Sequence, residues 1–342
     1  MFAALSTPAL VAAFAAAALV VLILGTRMTG LADRIADRTG LGEALVGGVL
    51  LGASTSLSGT VVSVTSALEG QASLAFANGI GGIAAQTAFL AVADLMYRRA
   101  NLEHTSAEIA NVVQGALLFL LLSVPLVAYT LPEWSVWGVH PVSVAMLVIY
   151  ASGVYVTHRV RENPMWRPVS TGDTQEDTPD EAQHSGAAWR LVGGFAVMMA
   201  VLAVAGYVIA QTGGQMAARF GLSQTIVGAL MTAVVTSMPE LVTTVAAVRR
   251  GAFQLAVGGI IGGNTFDTLF LSLSDFGYRD GSIYHAIQTA DLFWLAIGLV
   301  MTAVLMIGLI VRERGGPLRI GTESLLLLLI YAGAIAAQIA LG

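Results

Sequence analysis

Apolar residues dominate long stretches of this chain, and polar positions are collected into shorter segments between them. Ten stretches are nearly free of charge and approach or exceed about 20 residues, the length that an α-helix needs to cross a bilayer. The predicted spans are residues 9–25, 42–67, 71–96, 109–130, 136–157, 190–212, 223–248, 252–274, 285–311 and 320–341. The pattern therefore predicts an all-α membrane protein with ten transmembrane helices.

Two stretches of the chain, residues 40–89 and 221–270, are similar to each other at a constant offset of 181 positions. We call them the first and the second copy. The matched residues are Thr55-Ser56 with Thr236-Ser237, Gly70 with Gly251, Leu74-Ala75 with Leu255-Ala256, and Ile80-Gly81-Gly82 with Ile261-Gly262-Gly263. Duplication inside apolar sequence is typical of transporters that bind their substrate where the two copies meet.

Composition supports a bilayer location, because only 11% of residues are charged and mean hydropathy is +0.79. Soluble proteins carry about 25% charged residues. The absence of cysteine excludes disulfides and thiol–metal sites. The net charge of −5 includes no basic stripe, which argues against a nucleic-acid partner.

The positions of the basic residues predict the orientation of the chain across the membrane. All sixteen are arginines, and all except Arg219 and Arg279 follow spans 1, 3, 5, 7 or 9. By the positive-inside rule both termini then lie outside the cytoplasm of a multi-pass cell-membrane protein. The first copy turns outside at Gly70 and the second turns inside at Gly251, so the copies are predicted to be inverted.

The expected organisation is two five-helix halves joined by a polar linker. Residues 1–157 form the N-terminal half, with the first repeat at about 40–96, and residues 189–342 form the C-terminal half, with the second repeat at about 221–274. Linker 158–188 is acidic and proline-containing, and we interpret it as a disordered cytoplasmic tether. A regulatory cation-binding loop is the alternative, but the regular oxygen spacing of a calcium loop is missing.

Two acids are predicted deep in the membrane, Glu240 in span 7 and Asp267 in span 8. An intramembrane carboxylate costs about 2.5–3.5 kcal/mol on insertion scales, which favours a functional role. Pro239 interrupts the helix beside Glu240 and frees a carbonyl. The hydroxyl groups nearby are those of Thr236, Ser237, Thr243 and Thr244. Such an all-oxygen set suits a hard cation such as calcium or sodium.

The alternative interpretation is that Glu240 and Asp267 form a structural hydrogen-bonded pair with one member protonated. Three further acids, Asp94, Asp291 and Glu323, lie near span ends and are expected at the membrane interface.

The segments TSMPE at 236–240, LVTTVAAVRRG directly after it, and GGIIGGNTFD resemble the second alpha repeat of the calcium/cation antiporter superfamily, which includes sodium/calcium exchangers. The resemblance extends to the whole chain and implies a sodium/calcium exchanger-like fold. It implies that Glu240 and Asp267 bind the cations, with oxygens from Thr236 and Ser237. It also implies exchange of calcium for sodium or, in some branches, for protons or with potassium as co-substrate, without a cofactor.

The first copy departs from this pattern. Ser58-Gly59 stand where the family has Pro-Glu, and Gln86 stands at the last polar position. Thr55 and Ser56 remain, so the expected metal ligands from this copy are Thr55, Ser56 and Gln86. The cavity would then contain two carboxylates, enough to neutralise one divalent ion.

Three functions are compatible with these residues. The first is an antiporter that exchanges calcium for sodium, and the second is a proton-coupled or monovalent-cation exchanger of the same fold. The third is a transport-inactive, cation-binding paralogue. An intramembrane protease is disfavoured, because the pair contains a glutamate and all histidines lie at span ends or in loops. The expected partners are inorganic cations and the lipid bilayer.

Overall fold

The computed structural model describes residues 2–39, 55–97, 100–106, 108–174, 188–316 and 320–341. These residues are mainly helical, and an isolated bridge between Val136 and Val139 is their only β-type pairing. The helices are α1 Thr7–Thr39, α2 Leu57–Leu68, α3 Ala72–Met96, α4 Leu102–Thr105, α5 Ile109–Thr130, α6 Pro141–Glu162, α7 Ala188–Phe220, α8 Gln224–Thr236, α9 Met238–Arg250, α10 Phe253–Asp267, α11 Leu269–Gly277, α12 Ile283–Ala286, α13 Thr289–Val311 and α14 Thr322–Leu341.

Seven of the described helices are long and apolar enough to cross a membrane, and the bent pair α8–α9 makes an eighth. The eighth predicted span is divided into α10 and α11 by a turn at Thr268. Residues 42–54 of the second predicted span lie outside the described residues, and α2 covers its end. The all-α prediction is confirmed, whereas the count of ten stays a prediction.

The sequence repeat reappears in the helix boundaries. Helices α2 and α9 both start directly after a serine, Ser56 and Ser237, and the starts of α3 and α10 are also equivalent positions. Gly70 and Gly251 follow α2 and α9 with φ of +74° and +84°. This left-handed conformation is one that glycine adopts without strain, so each copy can turn sharply into its next helix.

Helix α3 is the centre of the packing. It contacts α2, α8, α9, α10, α11, α13 and α14. Nearly all of its side chains are buried, so its sequence is apolar on every face. Small residues let neighbours approach closely: a Cβ on Gly81 would lie 2.5 Å from Ala229 Cα in α8. One core forms around α3, α5, α10 and α13, and a second core joins α1 and α7 to α2.

The linker begins later than predicted. Helix α6 continues through Glu162, and α7 starts at Ala188. Residues 163–174 are held against the end of α13 rather than free, since Arg314 Nε lies 2.6 Å from Asp173 Oδ2 and Arg312 donates to the Val169 carbonyl. Residues 175–187 lie outside the described residues.

The acids near span ends are buried within the protein, and their position at the membrane interface stays a prediction. Asp94 is 1% exposed and accepts hydrogen bonds from the backbone N–H groups of Leu102 and Gly321. Asp291 is buried and accepts from Thr225 Oγ1. Two unpaired backbone donors at a helix junction can stabilise a buried carboxylate, which a hydropathy pattern cannot reveal.

Asp94 is accompanied by Glu103 and Glu323, both buried, at the junction of α3, α4 and α14. No donor reaches either carboxylate oxygen of Glu103. Burial, and then the negative charges of Asp94 and Glu323, raise the pKa of Glu103 well above its usual value. The ionised form of this side chain is therefore a cost to folding.

We expect Gly81→Val to destabilise the protein, because its side chain would overlap the backbone of α8. Overpacking of this kind costs about 1–3 kcal/mol. The matched control is Gly333→Val, where nothing lies within 4 Å of the added Cβ. Thermal unfolding of the detergent-solubilised protein measures both, and an equal effect of the two variants would contradict the close approach of α3 and α8.

We expect Glu103→Gln to raise thermal stability at pH 8 but to change it little at pH 4. Above the unfolded-state pKa of about 4.3 the unfolded chain releases a proton that the folded chain retains, so stability falls as pH rises towards the folded pKa. Each unit of the shift is worth about 1.4 kcal/mol. Melting curves across pH test this, and Glu162→Gln, on an exposed side chain, is the control. An unchanged pH profile would disprove it.

Candidate cation site

The chain is broken between α8 and α9, where the sequence predicts an interruption at Pro239. Residues Val227–Thr232 form a π-helical segment, and α9 starts at Met238 with a bend of 43°. Proline has no N–H to continue the helical hydrogen bonds. A helix that starts inside the protein directs its partial positive charge and its free N–H groups at its surroundings. The break therefore creates a polar environment within an apolar bundle.

The two intramembrane acids lie at this break. Glu240 is in the first turn of α9 and is 5% exposed, whereas Asp267 is the last residue of α10 and is 2% exposed. Helices α9 and α10 pack together, and the two carboxylates are near enough for their charges to interact. The ion pairs of the described residues all lie elsewhere. Two acidic groups are thus buried without a protein cation beside them.

The first copy contributes a direct bond to this pair. Gln86 Nε2 in α3 donates to Asp267 Oδ2 over 2.6 Å and to Ser237 Oγ over 3.2 Å. Gln86 and Asp267 are 181 residues apart, which is the repeat offset, so equivalent positions of the two copies meet here. Thr55 approaches the Glu240 carboxyl, and Ser56 approaches that of Asp267. The predicted ligands of the first copy are therefore near the two acids.

Several buried oxygens around these residues have no hydrogen-bond donor. They are Ser56 Oγ, Gln86 Oε1, both carboxylate oxygens of Glu240, Asn264 Oδ1 and Asp267 Oδ1. Buried polar atoms without partners are rare in proteins and call for an explanation. Carboxylate, hydroxyl and amide oxygens are the ligands of hard cations. These oxygens can therefore bind a cation, because no positively charged side chain among the described residues pairs with the two acids.

The predicted ligand oxygens differ in how available they are to a cation. Thr236 Oγ1 donates to the Thr232 carbonyl over 2.9 Å, which leaves its lone pairs available as acceptors. Thr243 bonds back to the Pro239 carbonyl of its own helix. Asn264 was not among the ligands predicted from the sequence, yet its free Oδ1 makes it a further candidate, held by Nδ2 donation to Thr87 Oγ1. The sequence feature that could have identified Asn264 is its polar amide within a mostly apolar, glycine-rich helix.

The number of acids in the site is limited. Within the part of the chain that the structure describes, no three or more His, Cys, Asp or Glu residues are grouped so that they could hold a metal ion. A cation here would be neutralised by two carboxylates and coordinated otherwise by neutral oxygens.

Comparison with known proteins connects this geometry to a family. The model of the family described as sodium/calcium exchanger protein matches residues 9–158 and 190–340, nearly the whole chain. The sodium/calcium exchanger MaX1 of Methanosarcina acetivorans is 32% identical over 149 residues. That match spans 42% of this chain and 41% of the length of MaX1.

Solved structures share the fold over most of their length. The sodium-calcium exchanger NCX_Mj, soaked with sodium and strontium, superposes with a TM-score of 0.63 at 15% identity, covering 97% of this chain and 99% of its own. The H+/Ca2+ exchanger CAX gives a TM-score of 0.67 at 11% identity, covering 97% and 86%. At these identities the likeness concerns the fold alone.

Proposed function

The chain belongs to the sodium/calcium exchanger protein family, and we propose that it is a secondary-active cation antiporter that exchanges calcium for sodium across the cytoplasmic membrane. The cations bind between Glu240 and Asp267, with oxygens from Thr55, Ser56, Gln86, Thr236 and Ser237. The ions are substrates, and the activity needs neither a cofactor nor a chemical reaction.

The group of buried oxygens without donors is the observation that carries this proposal. A structural pair of acids would be joined by a hydrogen bond between the two carboxyls, whereas no such bond joins Glu240 to Asp267. The groups that approach them are the neutral Gln86 amide and the Thr55 and Ser56 hydroxyls. Burial of carboxylates without a counter-charge is costly. A bound divalent cation, or two monovalent cations, removes that cost by neutralising both groups.

Alternating access follows from the two copies. We propose ten spans in two inverted five-helix halves, with both termini outside and the linker between α6 and α7 in the cytoplasm. The equivalent breaks at Ser56 and Ser237 support a mechanism in which each half can adopt the other's conformation. The distribution of arginines supports the orientation.

We expect Glu240→Gln to abolish calcium uptake into proteoliposomes driven by a sodium gradient, because it removes one of two charges that neutralise calcium. Glu162→Gln removes a carboxylate from the exposed end of α6 and should leave uptake unchanged. Uptake of radioactive calcium measures both variants. Wild-type uptake by a folded Glu240→Gln protein would defeat the assignment of the site, and calcium binding without flux in the native protein would favour a transport-inactive paralogue.

A proton-coupled exchanger is the second candidate. Two neighbouring buried carboxyls that lack a positive partner can be neutralised by protons as well as by cations. If sodium is the coupling ion, a pH gradient imposed in sodium-free buffer should drive no calcium uptake, because nothing then exchanges with calcium. Uptake that follows the pH gradient and is indifferent to sodium would replace the sodium-coupled assignment.

A further inference from the structure

Gly59 in α2 occupies the position of the first copy that corresponds to Glu240. A Cβ placed on Gly59 would lie 2.7 Å from Cε2 and 3.0 Å from Cζ of Phe270. Even a methyl group therefore overlaps this aromatic ring. The ring fills the space in which a side chain at position 59, such as a second-copy-like glutamate, would have to extend.

Phe270 is fixed in this place by its neighbours. It is 3% exposed and lies near the start of α11, three residues after Asp267. Gly79 in α3 packs against the base of this side chain, where a Cβ would lie 3.3 Å from Phe270 Cβ. The absence of side chains at Gly59 and Gly79 thus leaves room for the ring against α2 and α3, and its burial limits the space into which it could move.

Apart from Thr236 Oγ1, which would lie 3.6 Å from a Cβ on Gly59, the polar atoms described beside Gly59 are bonded to one another. Asn78 Nδ2 donates to the Gly59 carbonyl over 3.1 Å and to Ser63 Oγ over 2.9 Å. Asn78 Oδ1 accepts from Thr232 Oγ1 over 2.7 Å. Beyond Thr236, the Gly59 side of the polar region is thus closed by an aromatic ring and a saturated amide, and the carboxylate oxygens lie on the other side.

We propose that Phe270 is a specificity-determining residue: its ring closes the Gly59 side of the site and limits the cargo to a total charge of two. This inference rests on the proposed function, since it concerns the ions that bind between Glu240 and Asp267. The site then holds one divalent cation or two monovalent ones. A third monovalent ion would bring an uncompensated charge into a low-dielectric interior and would find no third carboxylate among the described residues of the site. Exchange is therefore electroneutral, whichever monovalent ion is coupled to calcium.

The test measures charge movement in proteoliposomes whose membrane potential is set by a potassium gradient and valinomycin. For the native protein we expect the final ratio of internal to external calcium to depend on the sodium or pH gradient. This ratio should not shift with the membrane potential. An exchanger that moves one net charge per calcium would instead shift this ratio by about the factor of the potassium ratio. Such a shift in the native protein would overturn the inference.

The double variant Gly59→Glu with Phe270→Ala removes the ring and supplies a third carboxylate. We expect it to gain the potential-dependent shift, because a third monovalent ion can then be neutralised. Gly59→Glu alone should lose calcium uptake, since the new side chain collides with the ring. The matched control is Phe89→Ala, the equivalent phenylalanine of the first copy, which should remain electroneutral.

The outcomes separate this inference from the proposed function. Absence of calcium flux in the native protein would defeat the proposed function, whereas potential-dependent flux in the native protein would defeat only the role of Phe270. A folded, calcium-transporting double variant that stays electroneutral would also defeat that role. If the double variant does not fold, the response of the native protein to the potential decides the matter.

Discussion

The burial of two carboxyl groups without a positively charged partner is the constraint on which the rest of this structure depends. Glu240 and Asp267 are each at most 5% exposed, and no described arginine or histidine pairs with them. In a low-dielectric interior such groups need protons, cations or donors to be tolerated. The helix start at Met238 and the Gln86 amide supply part of this stabilisation, and in the proposed function the exchanged ion supplies the remainder.

Close backbone approach makes the site possible. A Cβ on Gly82 would lie 3.3 Å from Ser237 Oγ, and one on Gly263 would lie 3.3 Å from Gln86 Oε1. These glycines are equivalent positions of the two copies, so each copy makes room for the polar side chains of the other. Duplication thereby places the candidate site where the two copies meet. A substitution in one copy can then alter the charge of the site without altering the position of the site.

Divergence between the copies explains the chemistry of the site. The second copy retains both acids, and the first has Gly59 and Gln86 in their places. Gln86 keeps the geometry, because an amide can donate to Asp267 where a second carboxylate would repel it. Gly59 does not keep an oxygen ligand, and Phe270 occupies the vacated space. Both acids of the candidate site therefore come from the second copy.

The sequence by itself determined the helical class, the repeat offset, the helix interruption at Pro239 and the two deep acids, because each depends on local residue identity and on hydrophobic length. It could not determine that Asp94 is buried, that Asn264 has an open oxygen, or that Phe270 lies against Gly59. Those features depend on how closely helices far apart in the chain approach one another. Only the tertiary structure sets these approach distances, because they result from packing of the whole bundle.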